Sequence, residues 1–150
     1  ALNSAAGMGL VNYVGHGGTN QLADENLLSN DQGDPTFAAL TNASRQPIVM
    51  AFTCAVGDGT YPGGDSLIES LLWRQGGGAV AAFAPTGLSD NNEAHILNLS
   101  LVVALGGVTA RPTLGEAAAS AIADFAKRGG PRYMREIYSV IGDPGLRIQQ

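Results

Sequence analysis

The chain has 150 residues, 45% of them apolar and only 14% charged, which is enough to bury a core on both faces of one sheet in a single domain, 1–150. A formal net charge of -5, with 8 Lys and Arg in no run, offers no footprint for nucleic acid or an anionic membrane. No apolar run reaches the ~18 residues of a spanning helix, and Ala1–Gly9 lacks the basic start and long apolar middle of a signal peptide.

In chain order, Ala1–Gly7 reads as the last turns of a helix closed by glycine. Leu10–Val14 is a short apolar strand running into Gly15-His16-Gly17-Gly18. Thr19–Gly33 is polar and expected to be irregular, with one turn over Asp24–Leu28. Asp34-Pro35 sets an N-cap and a proline at the first helical position, so Pro35–Leu40 is a short helix. Ile48–Thr53 is apolar almost throughout, as suits a strand covered on both faces, and leads to Cys54 and the loop Gly57–Gly64. Ser66 and Glu69 form a capping box for a helix with Leu67, Leu71 and Leu72 on one face, closed by Gly76.

Ala79–Ala84 is a third apolar strand, ending at Pro85-Thr86-Gly87. Asp90 or Asn91 caps a helix to about Leu105, and Thr113 with Glu116 makes a second capping box for an Ala-rich helix to about Arg128. Pro131–Tyr138 fits neither state clearly. Val140-Ile141 leads to a turn at Gly142-Asp143-Pro144, with Leu146-Arg147-Ile148 extended after it. Strands alternate with helices, so the expected architecture is an α/β layer fold with a mainly parallel sheet.

A single cysteine excludes an internal disulfide, and two His with one Cys fall short of a structural zinc set. Cys54 and His16 both fall just beyond strand ends, where ligands of open α/β sheets bind. A thiol with a reference pKa of about 8.5 needs a nearby imidazole to favour the thiolate or take its proton. Gly17 lets a backbone N–H approach a tetrahedral oxyanion beside that of Cys54. Taken singly, Cys54 reads as a small buried hydrophobe and His16 as a loop histidine; the matched placement favours a pair. His95 reads as an ordinary helical residue. Asp58, Asp65, Asp90 and Glu93 read as caps or solvated charges, one of which can meet a basic substrate group.

Val11-Asn12-Tyr13-Val14-Gly15-His16-Gly17, Met50-Ala51-Phe52-Thr53-Cys54, Ser66-Leu67-Ile68-Glu69 with Gly78-Ala79-Val80-Ala81, and Ile141-Gly142-Asp143-Pro144-Gly145-Leu146-Arg147-Ile148 resemble the gingipain-type cysteine peptidases, peptidase family C25 of the caspase-like clan. The resemblance implies a caspase-like three-layer α/β/α sandwich, truncated at the N-terminus, with at least two upstream strands missing. It implies an endopeptidase acting on peptide or protein through a thioester acyl-enzyme. Cys54 is then the nucleophile, His16 the general acid/base, and the amides of Gly17 and Cys54 the oxyanion hole. Val14 and Phe52, two before each catalytic residue, match pocket-wall positions, and Pro85 and Thr86 are further candidates.

By the same resemblance the enzyme is secreted or at the cell surface, and an upstream segment or chain completes the fold. That upstream part can carry a carboxylate supporting His16 and the residue that selects the substrate side chain. Dyad chemistry needs no cofactor. Relatives can carry structural calcium, but neither Asp24–Asp34 nor Asp58–Asp65 has the spacing of a calcium loop. The rival readings are a catalytically silent caspase-like module serving adhesion, assembly or secretion, and a different thiol hydrolase or acyl transferase using the same dyad.

Overall fold

The structure, a computed structural model, describes residues 2–3, 7–106 and 111–147. A four-stranded sheet in the order β1-β5-β6-β7 forms the centre. Strands β1 (Leu10–Val14), β5 (Ile48–Phe52) and β6 (Ala81–Pro85) run parallel, and β7 (Tyr138–Gly142) closes the sheet antiparallel to β6. The sheet is therefore mainly parallel, as the alternation of apolar runs and helices predicts. Every residue of β5 and β6 is buried.

Successive side chains on a strand point to opposite faces, so β5 feeds two cores. Ile48, Met50 and Phe52 join Ala81 and Phe83 beneath α3 (Asn91–Leu105), α4 (Leu114–Lys127) and α5 (Arg132–Ile137). Val49, Ala51, Ala82 and Ala84 pack on the other face against Leu67, Ile68 and Leu71 of α2 (Leu67–Trp73), with Phe37 of α1 (Pro35–Ala38) at its margin. The result is a three-layer α/β/α sandwich. Among the described residues no helix is long and apolar enough to cross a membrane.

The caps read from the sequence are in place. Asp34 accepts from the Thr36 N–H, Asp90 from those of Asn92 and Glu93, and both capping boxes, Ser66 with Glu69 and Thr113 with Glu116, are closed. The turn at Asp143-Pro144 ties the chain's last described segment to α4. Leu114 and Gly115 donate N–H bonds to the carbonyls of Leu146 and Pro144, both at 2.8 Å, and Thr113 bridges Arg147.

Three expectations are corrected. Thr19–Gly33 is not irregular: β2 (Gly17–Gly18), β3 (Gln21–Leu22) and β4 (Leu28–Ser29) form a small antiparallel sheet. Strands of two residues are too short to show alternation, and the turn between β3 and β4 starts at Ala23, with Ala23 and Asn26 at φ 60° and 51°. Helix α2 stops at Trp73, short of Gly76, because Arg74 turns away to donate to the carbonyls of Ala38 and Leu40 and to lie over the Phe37 ring at 4.9 Å. Gly78 then returns the chain at φ 105°, where a Cβ would stand 2.1 Å from the Leu71 carbonyl oxygen, so only glycine fits. The ambiguous stretch from Pro131 divides into α5 and the first residue of β7, and β7 runs on through Gly142. Of the helix expected over residues 1–7, Ala1 and residues 4–6 lie outside the described residues, as does Ile148 of the closing segment; Leu2 and Asn3 form a turn.

Hydrogen bonds from the Thr36 hydroxyl and N–H hold the Asp34 carboxyl below its usual range. Bonds from Thr60 do the same for Asp58, from the Thr113 backbone for Glu116, and from the Ser100 hydroxyl and Arg128 for Asp124. A depressed folded pKa contributes stability that is complete above the unfolded carboxylate range of about 4 and is lost as pH falls through the lowered folded values. Denaturation midpoints are therefore expected to stay level from pH 7 to about 5 and to fall steadily below about 4. A midpoint that rises on acidification would contradict this assignment.

Candidate active site

The site is set by the β1–β5 register. Val14 pairs with Phe52, and the Gly15 N–H extends the ladder to the Phe52 carbonyl at 3.2 Å. His16 and Cys54 each follow two residues past these paired ends, so neighbouring parallel strands deliver both at the same level. The His16 side chain is exposed, while its carbonyl is fixed by the Tyr13 hydroxyl at 2.7 Å and the Ala23 N–H at 2.9 Å.

Gly17 follows in β2, where a Cβ would lie 2.5 Å from Thr53 Oγ1, so the hairpin can press against the strand end only with glycine there. The bond between the Ala23 N–H and the His16 carbonyl makes those two residues a bonded pair of the β2–β3 ladder. Gly17 opposite Leu22 is then a non-bonded pair, and its N–H points away from β3. The Cys54 N–H donates to no protein group among the described residues.

Cys54 is half-buried on the other side of the strand end, held by the loop after β6. Its Sγ accepts from the Ser89 N–H at 3.5 Å, and its S–H donates to the Ser89 carbonyl at 3.6 Å. Ala55 N–H donates to Gly87 O at 2.9 Å and Gly57 N–H to Pro85 O at 3.0 Å, so the cysteine loop is strapped along the β6 loop. Ala55 stands at φ 49°, a left-handed conformation that costs a non-glycine residue about 1–2 kcal/mol.

The four candidate wall residues separate. Val14 is 43% exposed, and Thr86 is exposed with its N–H and hydroxyl both bonded to the Ile137 carbonyl. Phe52 is fully buried, stacked on Tyr138 with centroids 5.7 Å apart, and Pro85 is buried as well. Three contributors were not singled out from the sequence: Thr53, Ser89 and Tyr138. The signal for Ser89 lies in the Pro85-Thr86-Gly87 turn, since the loop ending a strand next to β5 must border Cys54. Asp58 and Asp90 are occupied as turn and cap acceptors, Asp65 is exposed in the loop before α2, and Glu93 lies in the first turn of α3. Among the described residues no group of three or more His, Cys, Asp or Glu is set to hold a metal ion.

A three-layer sandwich that brings a thiol and an imidazole to adjacent strand ends has the framework of the caspase-like cysteine peptidases. The model of peptidase family C25 matches residues 1–149, and the chain belongs to that family. Among solved structures it is similar to the complex of Porphyromonas gingivalis RgpB pro- and mature domains, with TM-score 0.83, 22% identity, 96% of this chain covered and 35% of that one. It is similar to the Arg-specific cysteine proteinase gingipain R (RGPB), with TM-score 0.84, 21% identity, 96% of this chain and 34% of that chain. A third structure, described as a protease, gives TM-score 0.82 at 18% identity over 98% of this chain and 36% of that one. The chain thus spans about a third of the length of the structures it matches. No curated protein matches it.

Thr53 Oγ1 is buried without a hydrogen-bond partner among the described residues, a state that costs about 1–3 kcal/mol. Thr53→Val keeps the shape and removes the orphan hydroxyl, so chemical denaturation should show a gain of about 1 kcal/mol. A loss of that size would mean that the hydroxyl is satisfied. At Ala55 the backbone decides the outcome. Ala55→Gly should change stability by less than about 1 kcal/mol, while the β-branched Ala55→Val should cost about 2 kcal/mol. Equal effects of the two would contradict the left-handed assignment.

Proposed function

We propose that the chain carries the catalytic dyad of a cysteine endopeptidase, with Cys54 as nucleophile and His16 as general acid/base. The observation that carries this reading is the level delivery of the two residues by the β1–β5 register. His16 takes the thiol proton as Sγ attacks the peptide carbonyl carbon, and the carbonyl oxygen becomes an oxyanion. The N–H groups of Gly17 and Cys54, neither committed to a protein acceptor in the geometry above, stabilise it; a hole of this kind is typically worth about 3 kcal/mol. Collapse breaks the C–N bond, the amine leaves with the proton from His16, and a thioester remains. Water, deprotonated by His16, then releases the acid and restores the thiol.

Val14 and Thr86 border the substrate on either side of the dyad, with Phe52 and Pro85 supporting them from beneath. The outer edge of β1 carries no strand among the described residues, and in this reading an upstream segment or chain pairs there. The substrate is a peptide or protein, and on family resemblance the enzyme acts outside the cell or at its surface.

The test is peptide hydrolysis by Cys54→Ala and His16→Ala, each expected to lose about 1000-fold or more in kcat/KM, with iodoacetamide abolishing activity of the unmutated protein. Full activity in Cys54→Ala would exclude the mechanism. An unmutated protein that folds but hydrolyses no peptide would favour the silent module, and turnover of esters alone would favour the acyl transferase.

A further inference from the structure

We propose that Ser89, braced by the Tyr138 hydroxyl, positions the Cys54 thiol and stabilises its thiolate. The inference rests on Cys54 being the nucleophile. Ser89 is the residue whose backbone N–H and carbonyl both contact Cys54 Sγ, at 3.5 and 3.6 Å. The two contacts favour opposite protonation states. The carbonyl can accept only from the thiol, whereas the N–H becomes a charge-assisted donor once the proton has gone. A loop carrying both must therefore be held in place if the sulfur is to keep its donor after ionisation.

Two ties hold it. Thr86 is bonded through N–H and hydroxyl to the Ile137 carbonyl at 2.8 and 3.1 Å, and Ser89 Oγ shares a 2.9 Å hydrogen bond with the Tyr138 hydroxyl. Ile137 and Tyr138 are consecutive, the last residue of α5 and the first of β7, so one rigid junction anchors both ends of the loop. Tyr138 is 3% exposed, and its ring packs against both Phe52 and Phe83, at 5.7 and 5.5 Å, in a cluster of three rings. A buried tyrosine whose hydroxyl is spent on a serine beside the nucleophile contributes more than packing, because phenylalanine would fill the ring site equally well.

Tyr138 from β7 interacts with the Cys54 thiol, and Tyr133 of α5 acts on Tyr138; His16 stands two residues past the paired end of β1, and Asp90 is committed to the α3 cap. Burial pushes the Tyr138 phenol up to about 12 against the pull of the Ser89 hydroxyl. The charge on Cys54 adds to the rise, the Thr53 backbone opposes it, and Tyr133 adds further. Tyr138 thus stays a neutral hydroxyl at neutral pH.

The experiment is the pH dependence of iodoacetamide alkylation at Cys54, which reads the thiol whether or not the chain hydrolyses anything. Tyr138→Phe and Ser89→Ala should each move the midpoint up by about half a unit, roughly threefold less alkylation at neutral pH, and the double variant should move it no further. Ser89→Thr, which keeps the hydroxyl, should restore the midpoint, and kcat should fall in the two single variants with KM unchanged. Midpoints that stay put while only thermal stability drops would reduce the pair to packing and overturn the proposal. Loss of the peptidase reading would show separately, as hydrolysis that survives Cys54→Ala.

Discussion

The site depends on the parallel register between β1 and β5. Parallel neighbours put their carboxyl ends at the same edge of a sheet, and a slip of one residue would turn every side chain of the moving strand to the opposite face. For β5 that slip is prohibitive, because Met50 and Phe52 fill one core while Val49 and Ala51 fill the other. Fully burying a large apolar side chain is worth about 1.5–3 kcal/mol, against about 1 kcal/mol for a hydrogen bond at the strand end. The core thus fixes where Cys54 emerges, and local bonds only adjust its orientation. On β1, at the edge of the sheet among the described residues, the exposed Asn12 gives up apolar burial but bonds Asn98 of α3 at 3.0 Å, which ties that strand to the helix layer.

The strand that departs from the parallel pattern supplies the other wall of the site. Because β7 runs antiparallel to β6, its first residue lies beside the last residue of β6, and Tyr138 pairs with Pro85. A parallel strand at that position would have put its beginning at the far edge. The antiparallel return therefore carries the α5–β7 junction to the same edge as Cys54, where it can anchor the loop from Thr86 to Ser89. Beyond the opposite end of the strand, the turn after Gly142 holds the start of α4 through the carbonyls of Pro144 and Leu146. The strand thus serves fold and site through its two ends.

Much of this was legible in the sequence because the signals were local. The apolar runs gave β1, β5 and β6, the polar caps Ser66 and Thr113 set the starts of α2 and α4 to the residue, and Asp90 or Asn91 set that of α3 to within one. His16 and Cys54 stood out because each follows an apolar run at a break in its pattern. Long-range competition hid the rest. Arg74 leaves its helix for carbonyls more than 30 residues away, the two-residue strands of the small sheet have no periodicity to detect, and the ambiguous stretch ends in a strand at Tyr138, whose ring packs against Phe52 and Phe83. Ser89 and Tyr138 are 49 residues apart, and no local pattern joins them.

Local preference loses to tertiary demand most heavily in the tripeptide Thr53-Cys54-Ala55. Thr53 buries an unpartnered hydroxyl, Cys54 divides its sulfur between a donor and an acceptor of one residue, and Ala55 is held left-handed. Each departure is sustained from outside the tripeptide: the β2 hairpin presses on Thr53 through Gly17, Ser89 brackets the sulfur, and Gly87 holds the Ala55 N–H. In the proposed reading these outside contacts keep the thiol at the level of His16. Burial of every residue of β5 offsets these local costs, so the tripeptide is where the demands of the core override the preferences of the strand's own end.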